Sequence, residues 1–371
     1  MKPLKGIRVV ELARILAGPW CGQLLADLGA EVIKIERPGT GDDTRHWGPP
    51  FLHDAEGNSL DAAYFHSTNR GKSARFIDIA TPAGQAEVRA LAAEADVVIE
   101  NYKVGGLVKY GLDSASLRTA NPRLIVASIT GFGQTGPYAH RAGYDFIIQG
   151  MGGFMSLTGE PDGAPQKAGI AYADIFTGTY TAVAVLAALR RRDVTGEGAH
   201  IDMALLDTQV AVLANQALNW MASGTVPHRM GNGHANLVPY QAFACADGEL
   251  IVAVGNDSQF RRLCAVLELG LGEDPRFATN PGRVENRAAL IPLLAAAIGS
   301  WEKAALYERL EAAGVPAGPI NRVDEVFADP QVQARGMRIA PGGLPGVASP
   351  IVIDGVRMTN GRPSPPRPAN D

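Results

Sequence analysis

An aspartate at the start of a long apolar segment is the first candidate for chemistry in this sequence of 371 residues. Asp174 follows a run of small residues at 168–173, and a segment with helical periodicity extends from 175 to 192. Since Asp is a preferred residue at helix N-caps, one prediction is a structural cap. The other is catalysis, because the dipole and free N–H groups of a helix N-terminus favour an ionised carboxylate and counter the rise in pKa that burial causes.

Several basic residues occur in predicted loops and at predicted strand ends in the first half of the chain. They are Arg14, Arg37, Arg70, Lys72, Lys109 and Arg141. Any one of them alone is more often a solvated charge. Because open α/β sheets bind ligands at the carboxyl ends of their strands, several cations there would suit a polyanion such as a phosphorylated cofactor.

A glycine-rich segment from Gly131 to Gly136 matches the G-x-G-x-x-G pattern of dinucleotide-binding proteins and follows a predicted strand. In that fingerprint the last glycine lies inside an opening helix, whereas here Pro137 follows it. The fingerprint also expects an acidic residue at a strand end about 20 positions on, and Glu160 lies in a predicted turn. We therefore expect a glycine loop that shapes a ligand pocket, with no nicotinamide or flavin.

Other kinds of site are not indicated by the sequence. The seven histidines show neither H-E-x-x-H nor another spacing typical of a metal centre, so no metal is expected. The G-x-S-x-G elbow of α/β-hydrolases is absent. Lys and Arg residues are scattered over a chain of net charge −4, so no nucleic-acid partner is expected.

Composition and the N-terminus predict a globular cytoplasmic protein. Hydrophobic residues make up 46% and charged residues 19%, and no apolar run looks long enough to span a bilayer, so no membrane partner is expected. Cys21, Cys245 and Cys264 are widely spaced and odd in number, which fits a reducing compartment. A strand-like run follows the first residues almost at once and leaves no room for a signal peptide.

The elements that must position these residues alternate between strand and helix. Strands are predicted at 7–12, 31–36, 96–101, 124–130 and 199–205, with helices between them, one of which begins at Thr81-Pro82. Such alternation predicts a parallel sheet and one α/β domain over the first 205 residues.

A different pattern follows this domain. From 224 to 236 Gly, Pro and polar residues collect, which predicts a linker or lid. Two apolar runs around Asp247-Gly248 predict a hairpin, and helical segments follow at 260–267, 284–298 and 301–313. We expect a second, smaller domain here, then short strands after Met337 and a disordered Pro-rich end at 363–371.

Together these segments resemble the class III CoA-transferases, also called the CaiB/BaiF family. The resemblance extends from Leu4 to about Pro365. The segments that carry it are 4–7 (LKGI), 17–19 (AGP), 25–36 (LADLGAEVIKIE), 69–73 (NRGKS), 100–102 (ENY), 131–137 (GFGQTGP), Asp174 and 314–320 (GVPAGPI). Each segment is weak alone, and the set is specific.

The resemblance implies a fold and an assembly. It implies a large Rossmann-like α/β domain with a parallel sheet, a smaller α+β domain, and a ring-shaped chain that threads through its partner to give an interlocked homodimer. The expected bounds are 1–205 with 330–371 for the large CoA-binding domain and 230–315 for the small domain. Linkers are expected at 206–229 and 316–329.

The resemblance also implies roles for particular residues. The family nucleophile falls on Asp174. Contacts with coenzyme A fall on Leu16, Ala17, Arg37, Ile77, Asn101, Tyr102, Lys109, Arg141 and Tyr144. The substrates implied are an acyl-CoA and small carboxylic acids.

A mechanism follows from the chemistry of a carboxylate nucleophile. Asp174 would attack the donor thioester to give a mixed anhydride and CoA thiolate, and the thiolate would then form an aspartyl-CoA thioester. An incoming carboxylate would take over the CoA through a second anhydride. Water must be excluded throughout, and we expect the Gly- and Asn-containing segment 230–234 to act as a lid.

Closer resemblance narrows the substrate. Segments 36–51 and 238–243 look most like those of succinyl-CoA:glutarate CoA-transferases, which implies succinyl-CoA as donor and a dicarboxylate such as glutarate as acceptor. The remote carboxylate of such an acceptor needs a cation. Arg45 is the candidate, unless it forms a structural ion pair.

Two other functions stay open. A 2-methylacyl-CoA racemase or epimerase would pair the Asp with a His in an Ala-Gly-His-Asp motif, where this sequence has Tyr144 before Asp145. A Tyr of pKa about 10 is a poor substitute for a group near 6.5, so transfer is favoured. A non-catalytic acyl-CoA-binding subunit is the other alternative, since relatives continue beyond the Pro-rich end into a Gly-x-His helix.

Overall fold

The computed structural model describes residues 2–54 and 56–367. In chain order the strands are β1 Arg8–Glu11, β2 Glu31–Glu36, β3 Phe51–His53, β4 Ser59–Ala62, β5 Ser73–Phe76, β6 Val97–Glu100, β7 Ile125–Thr130, β8 Ala199–Ala204, β9 Tyr240–Cys245, β10 Gly248–Ala253, β11 Ala317–Pro319, β12 Arg338–Ile339, β13 Gly346–Val347, β14 Val352–Ile353 and β15 Val356–Arg357. The α-helices are α1 Ala17–Asp27, α2 Ala63–Thr68, α3 Pro82–Ala93, α4 Ser114–Ala120, α5 Asp145–Met151, α6 Phe154–Leu157, α7 Tyr172–Thr195, α8 Leu205–Ala211, α9 Ala214–Ser223, α10 Asp257–Val266, α11 Asn280–Glu285, α12 Arg287–Ile298, α13 Lys303–Ala312, α14 Val323–Ala328 and α15 Pro330–Ala334. Short 3₁₀ helices lie at Asp43–His46, Val108–Tyr110, Gly270–Glu273 and Pro341–Gly343.

The chain divides into two compact units. The first takes the described residues up to Phe154, then Lys167–Ala214 and those from Asp329 onward. The second takes Met155–Gln166 and Asn215–Ala328. Segment 155–166, expected in the large domain, therefore clusters with the second unit.

The first unit is built on a six-stranded sheet with the order β5-β2-β1-β6-β7-β8. Every neighbouring pair in it is parallel. If the six strands of this sheet are numbered 1 to 6 in chain order, their spatial order is 3-2-1-4-5-6, which is the order found in Rossmann folds. The predicted α/β class with a large parallel sheet is confirmed.

The strands of this sheet place alternate side chains in two cores. In β6, Val97 and Ile99 belong to the core that includes residues of α1 and α7, whereas Val98 belongs to the core that includes Val88 of α3 and Leu117 of α4. Because helices cover both faces, the central strands β6 and β7 are largely apolar rather than alternating with polar residues. This explains why short apolar runs predicted them well.

The longest helix, α7, positions the candidate nucleophile. It packs closely on α1, because a Cβ at Gly178 would overlap the carbonyl oxygen of Ala17. By length and composition α7 could cross a membrane, contrary to the expectation that no apolar run is long enough, and 44% of its most apolar window is buried inside the protein. The buried face includes Ala182, Val185 and Leu189, which pack in the core shared with α1.

The second unit has its own sheet and core. Its sheet has the order β11-β10-β9, with antiparallel pairs, and β9 and β10 form the predicted hairpin. Phe260, Leu294 and Leu310 from three helices share its buried core with Phe243 and Leu250 from this sheet. The helices predicted for this region are confirmed, although the one expected at 284–298 is divided into α11 and α12.

Two predicted irregular regions are structured. The expected linker 206–229 contains most of α8 and all of α9, and the expected linker 316–329 contains β11 and α14. In α9, Leu218, Trp220 and Met221 are all exposed, so its apolar residues do not form the single buried stripe from which helices are predicted. The expected linkers therefore contain short helices, whereas the segment 224–236, predicted from its Gly, Pro and polar residues, has neither helix nor strand.

The Pro-rich end is packed as far as it is described. Ser364 and Pro365 are buried, the Pro365 carbonyl accepts a hydrogen bond from Arg45, and Arg367 forms an ion pair of 2.6 Å with Asp61. The expected disorder is wrong for 363–367, because distant partners that composition does not reveal hold the segment. Residues 368–371 lie outside the described residues.

Candidate active site

The strand order of the parallel sheet reverses at β1, which lies between β2 and β6. Open α/β sheets bind ligands at such a switch point, beyond the carboxyl ends of the strands. A cavity of about 440 Å³ lies there, within the first unit. Its lining comes from the segments 14–17, 101–110, 129–131 and 139–144, together with Asp174 and Leu205.

Asp174 lies in the first turn of α7 and lines this cavity. It does not cap the helix, because the N-cap position is Ala171. Instead, the Asp145 carboxylate of α5 accepts hydrogen bonds from the N–H groups of Ala173 at 2.8 Å and Asp174 at 3.3 Å. The predicted capping role of Asp174 is therefore wrong, and its carboxylate makes no capping hydrogen bond to α7.

The environment of Asp174 makes it titrate near neutrality. Burial, and then the negative charge of Asp145, raise the pKa of Asp174 to about 7. Gln149 fixes that neighbouring charge by donating from Nε2 to Asp145 at 2.7 Å. A carboxyl group with such a perturbed pKa in a cleft is typical of a functional site.

Tyr64 of α2 belongs to the same electrostatic environment. Burial, followed by the charges of Asp174 and Asp145, raises the pKa of Tyr64 to about 12. Its hydroxyl therefore stays protonated at neutral pH and remains a hydrogen-bond donor.

The loop after β1 is held on two sides. Arg14 N donates to Asn101 Oδ1 at 2.9 Å, and Asn101 Nδ2 donates back to Arg14 O at 2.7 Å, which ties the loops after β1 and β6 together. Ile15 N donates to the Asp42 carboxylate at 3.2 Å. Ile15 has φ 72°, and this left-handed conformation of a β-branched residue costs about 1–3 kcal/mol. Strain of this kind is concentrated at functional sites.

Glycines bring two loops of the cavity into backbone contact. A Cβ at Gly131 would lie 2.5 Å from the Cα of Gly143, so neither position has room for a side chain. The loop after β7 is fixed further by Thr130, whose Oγ1 accepts from Gly133 N at 2.9 Å. The prediction that this glycine segment shapes a pocket is confirmed, and the next helix begins only at Asp145.

The cavity is rich in positive charge. Its cationic residues are Arg14, Lys103, Lys109 and Arg141. The Arg141 guanidinium lies 3.9 Å from the centroid of the Tyr138 ring, which orients it. Within residues 2–54 and 56–367, Arg14 is the one member of this set that pairs with a carboxylate, Asp43 at 2.8 Å. Since α1 also points its N-terminus here from Ala17, the arrangement suits a polyanion.

Most of the predicted site residues meet in this cavity. They are Leu16, Ala17, Asn101, Tyr102, Lys109, Arg141, Tyr144 and Asp174. Arg37 and Ile77 do not line it. Arg37 is exposed just beyond β2, and Ile77 is buried in the core that contains Val88, so contacts of these two residues with CoA stay predictions.

Arg45, predicted as the cation for a remote carboxylate, is fully buried instead. It pairs with Glu36 at 2.6 Å and with Asp61 at 2.5 Å, and its guanidinium lies 3.7 Å from the centroid of the Phe65 ring. The structural ion pair is therefore the correct alternative. Arg70 and Lys72 are likewise buried, in ion pairs with Asp27 and Glu11 respectively.

The sequence does not predict Asp145 and Asp42, which shape the site. Asp145 directly follows Tyr144, and Asp42 lies in the segment that resembles glutarate-specific relatives, so both stand in recognised motifs. Nothing local distinguishes them, because their partners lie 28 and 27 residues away in the chain.

The segment 230–234 lies in the second unit, where its backbone is held by hydrogen bonds. Gly231 N donates to Gly159 O at 3.0 Å, and His234 O accepts from Arg287 at 2.5 Å. Its closure as a lid stays a prediction.

The cavity combines the carboxylate of Asp174 with several cationic side chains. No group of three or more His, Cys, Asp or Glu side chains that could hold a metal occurs in the described part of the chain. The carboxylate can act as a nucleophile or a base, and the cations can bind phosphate groups.

Comparison with known proteins finds relatives that match nearly the whole chain. The family model described as CoA-transferase family III matches residues 4–370. The succinate–glutarate CoA-transferase of Agrobacterium fabrum is 58% identical over 369 residues, which cover 98% of this chain and 92% of that protein. The succinyl-CoA:glutarate CoA-transferase of Mus musculus is 44% identical over 91% of this chain and 76% of its own length.

A solved structure agrees with these relatives. A CAIB/BAIF family protein from Brucella suis is 58% identical and superposes with a TM-score of 0.87. The match covers 98% of this chain and 96% of that chain.

Proposed function

The chain belongs to CoA-transferase family III and is a CoA-transferase, and we propose that it moves CoA from succinyl-CoA to a dicarboxylate such as glutarate through Asp174. The position of Asp174 is the observation that supports its role as the nucleophile. Asp174 lines the cavity at the switch point, while Asp145 takes over the capping of α7. The names of the relatives from Agrobacterium fabrum and Mus musculus support the donor and the acceptor.

The pKa of Asp174 suits a nucleophile in a sheltered site. Since the pKa of Asp174 is about 7, a substantial fraction of the carboxyl group is ionised at neutral pH. A carboxylate whose pKa is raised by burial is also a better nucleophile than one in water. Attack on succinyl-CoA gives a mixed anhydride of succinate with Asp174 and releases CoA thiolate. The thiolate attacks the aspartyl carbonyl, which frees succinate and leaves aspartyl-CoA.

The second half of the reaction is the same chemistry in reverse. Glutarate attacks aspartyl-CoA to give a new anhydride and thiolate, and the thiolate attacks the glutaryl carbonyl. Glutaryl-CoA leaves and the Asp174 carboxylate is restored. The thioester is conserved only if water does not intercept either intermediate.

The cations of the cavity would hold CoA during both halves. Lys109 and Arg141, which pair with no carboxylate among the described residues, suit its phosphate groups, and the N-terminus of α1 adds N–H donors. Asn101 and Tyr102 would contact the cofactor from the loop after β6. Tyr144, 59% exposed at the mouth, has no imidazole with which to exchange a proton at an α-carbon.

Trapping the covalent intermediate tests this proposal. We expect succinyl-CoA followed by borohydride or hydroxylamine to leave a mass change on the peptide that contains Asp174, and none in Asp174→Asn. CoA exchange that continues undiminished in Asp174→Asn would refute the nucleophile. Uptake of solvent deuterium at C2 of a 2-methylacyl-CoA without any acceptor acid would instead support the racemase alternative.

We propose further that the protein is a cytoplasmic homodimer with interlocked, ring-shaped chains. Apolar side chains on the outer faces of α5 and α7 support an assembly. Phe146, Ile147, Tyr180 and Val183 are each at least 45% exposed, and the two helices that carry them pack on each other. Soluble monomers rarely expose large apolar patches, and a second copy would cover this one.

A further inference from the structure

The loop from β1 to α1 contains a strained residue, and this loop is hydrogen-bonded to both members of a buried ion pair. Ile15, at φ 72°, donates its N–H to the Asp42 carboxylate at 3.2 Å. Two residues earlier, the carbonyl of Ala13 accepts from Lys34 Nζ at 2.8 Å. Lys34 and Asp42 pair with each other at 2.9 Å, and both side chains are completely buried. A single ion pair therefore holds the loop at two backbone groups.

We propose that Asp42 is a positioning residue for CoA, which holds Ile15 in its left-handed conformation and thereby presents Leu16 and the first turn of α1 to the cavity. The inference rests on the proposed function, since it concerns the same CoA site. Asp42 itself does not line the cavity, so its effect on the ligand passes through the backbone of Ile15.

The direction of the Asp42 carboxylate is fixed by other partners. Its Oδ1 accepts from Thr44 N at 2.9 Å and from Thr44 Oγ1 at 2.7 Å. Its own N–H donates to Glu36 at 2.8 Å. Although burial raises it, the charge of Lys34 and the hydrogen bonds from Lys34 and Thr44 lower the pKa of Asp42 to about 2, so the carboxylate is ionised throughout the neutral range.

Loss of the hydrogen bond between Ile15 N and Asp42 would free only one side of the loop between β1 and α1. Arg14 would remain bound to Asn101 through both of its backbone groups. Ile15, no longer held, would relax to a negative φ, because a β-branched residue avoids the left-handed region. The peptide groups that follow would rotate, and the α1 N-terminus and Leu16 would move relative to the cations across the cavity.

The test is a rescue experiment on CoA binding and on steady-state kinetics. In Asp42→Asn the amide oxygen keeps the hydrogen bonds from Thr44, and the NH₂ group, which cannot accept, faces Ile15 N. We therefore expect CoA binding to weaken roughly tenfold, equivalent to about 1.4 kcal/mol, as measured by isothermal titration calorimetry. KM for succinyl-CoA should rise in parallel while kcat changes little, because the interaction lost is one of binding. Adding Ile15→Gly to Asp42→Asn should restore most of the affinity, since glycine adopts positive φ freely.

Ile15→Ala is the matched comparison for the lost side chain. Alanine also avoids positive φ, so Asp42→Asn with Ile15→Ala should remain as weak as Asp42→Asn alone. Equal rescue by Gly and Ala, or none by Gly, would overturn the proposal, because Asp42 would then act only as a buried counter-ion. An unchanged CoA affinity in Asp42→Asn would overturn it too.

A second pair of variants covers the case in which Asp42→Asn does not fold. Ile15→Pro removes the N–H that Asp42 accepts and forbids positive φ, so it should bind CoA about tenfold more weakly than Ile15→Ala. Equal affinities of the Pro and Ala variants would refute the inference. Failure of the proposed function is a separate result, seen as no CoA transfer from succinyl-CoA by the wild-type enzyme.

Discussion

At the scale of single residues, the ionisation of Asp174 should set the pH dependence of the enzyme. The nucleophile must be deprotonated, and its pKa is raised to about 7 by burial and by Asp145. We expect kcat/KM for succinyl-CoA to rise with pH through an apparent pKa near 7 and to level off above it. A profile that is flat between pH 5 and 8 would contradict this assignment.

Asp145→Asn is the matched variant for that profile. It removes the neighbouring charge but keeps an oxygen that can accept from Ala173 N. The acidic limb should therefore move to lower pH, whereas Asp145→Ala should also destabilise the N-terminus of α7 by about 1 kcal/mol.

Asp174 should also lower the stability of the folded protein at high pH. The carboxyl group of Asp174 ionises near its ordinary pKa of 3.8 in the unfolded chain but at about 7 in the folded protein, so stability is greatest below 3.8 and falls as the pH rises to 7. The rise in pKa corresponds to at most about 4 kcal/mol, less after allowance for the partial solvent access of the side chain. Asp174→Asn should therefore raise Tm at pH 8 and leave it nearly unchanged at pH 4. Asp193→Asn, at an exposed position of the same helix, is the control, and an equal shift in both variants would refute the explanation.

At the scale of elements, the contact between Gly131 and Gly143 joins the loop after β7 to the loop before α5. A Cβ at Gly143 would overlap backbone atoms of Gly131, which cannot move aside as a flexible side chain would. We expect Gly143→Ala to lower the free energy of unfolding by about 1–3 kcal/mol and to weaken CoA binding, because the cavity wall must shift. Urea denaturation and calorimetry would measure both effects.

Gly361→Ala provides the comparison for this prediction. Its added methyl group would meet no atom within 4 Å, so its effect should stay within about 0.5 kcal/mol. Similar effects of the two substitutions would show that the loops do not depend on this close approach.

At the scale of the whole molecule, the exposed apolar face of α5 and α7 should be a subunit interface. Val183 is 58% exposed on the outer face of α7. A carboxylate there would be buried in an apolar interface, so Val183→Glu should keep the proposed dimer from assembling and give a monomer in size-exclusion chromatography with light scattering. Ala90→Glu places the same charge on the exposed side of α3, and it should leave the oligomeric state unchanged.

Much of the architecture follows from local patterns in the sequence. Five of the six strands of the parallel sheet, the helix beginning at Thr81-Pro82, the β9–β10 hairpin and the position of Asp174 at the start of a long helix were predicted, whereas β5 was missed. Local periodicity and turn residues suffice for these features, because each depends on neighbours close in the chain. The resemblance to a family then assigned the chemistry.

Tertiary structure alone decided which polar groups meet. The cap of α7 comes from Asp145, the guanidinium of Arg45 is enclosed by Glu36 and Asp61, and Ile15 is held by Asp42. A carboxylate that caps, pairs or reacts has the same local sequence signal, and burial and partners distinguish these roles only after distant segments pack together. Sequence by itself determined most strands of the parallel sheet and a short set of candidate residues, whereas the reversal of strand order at β1 decided which of those candidates share one cavity.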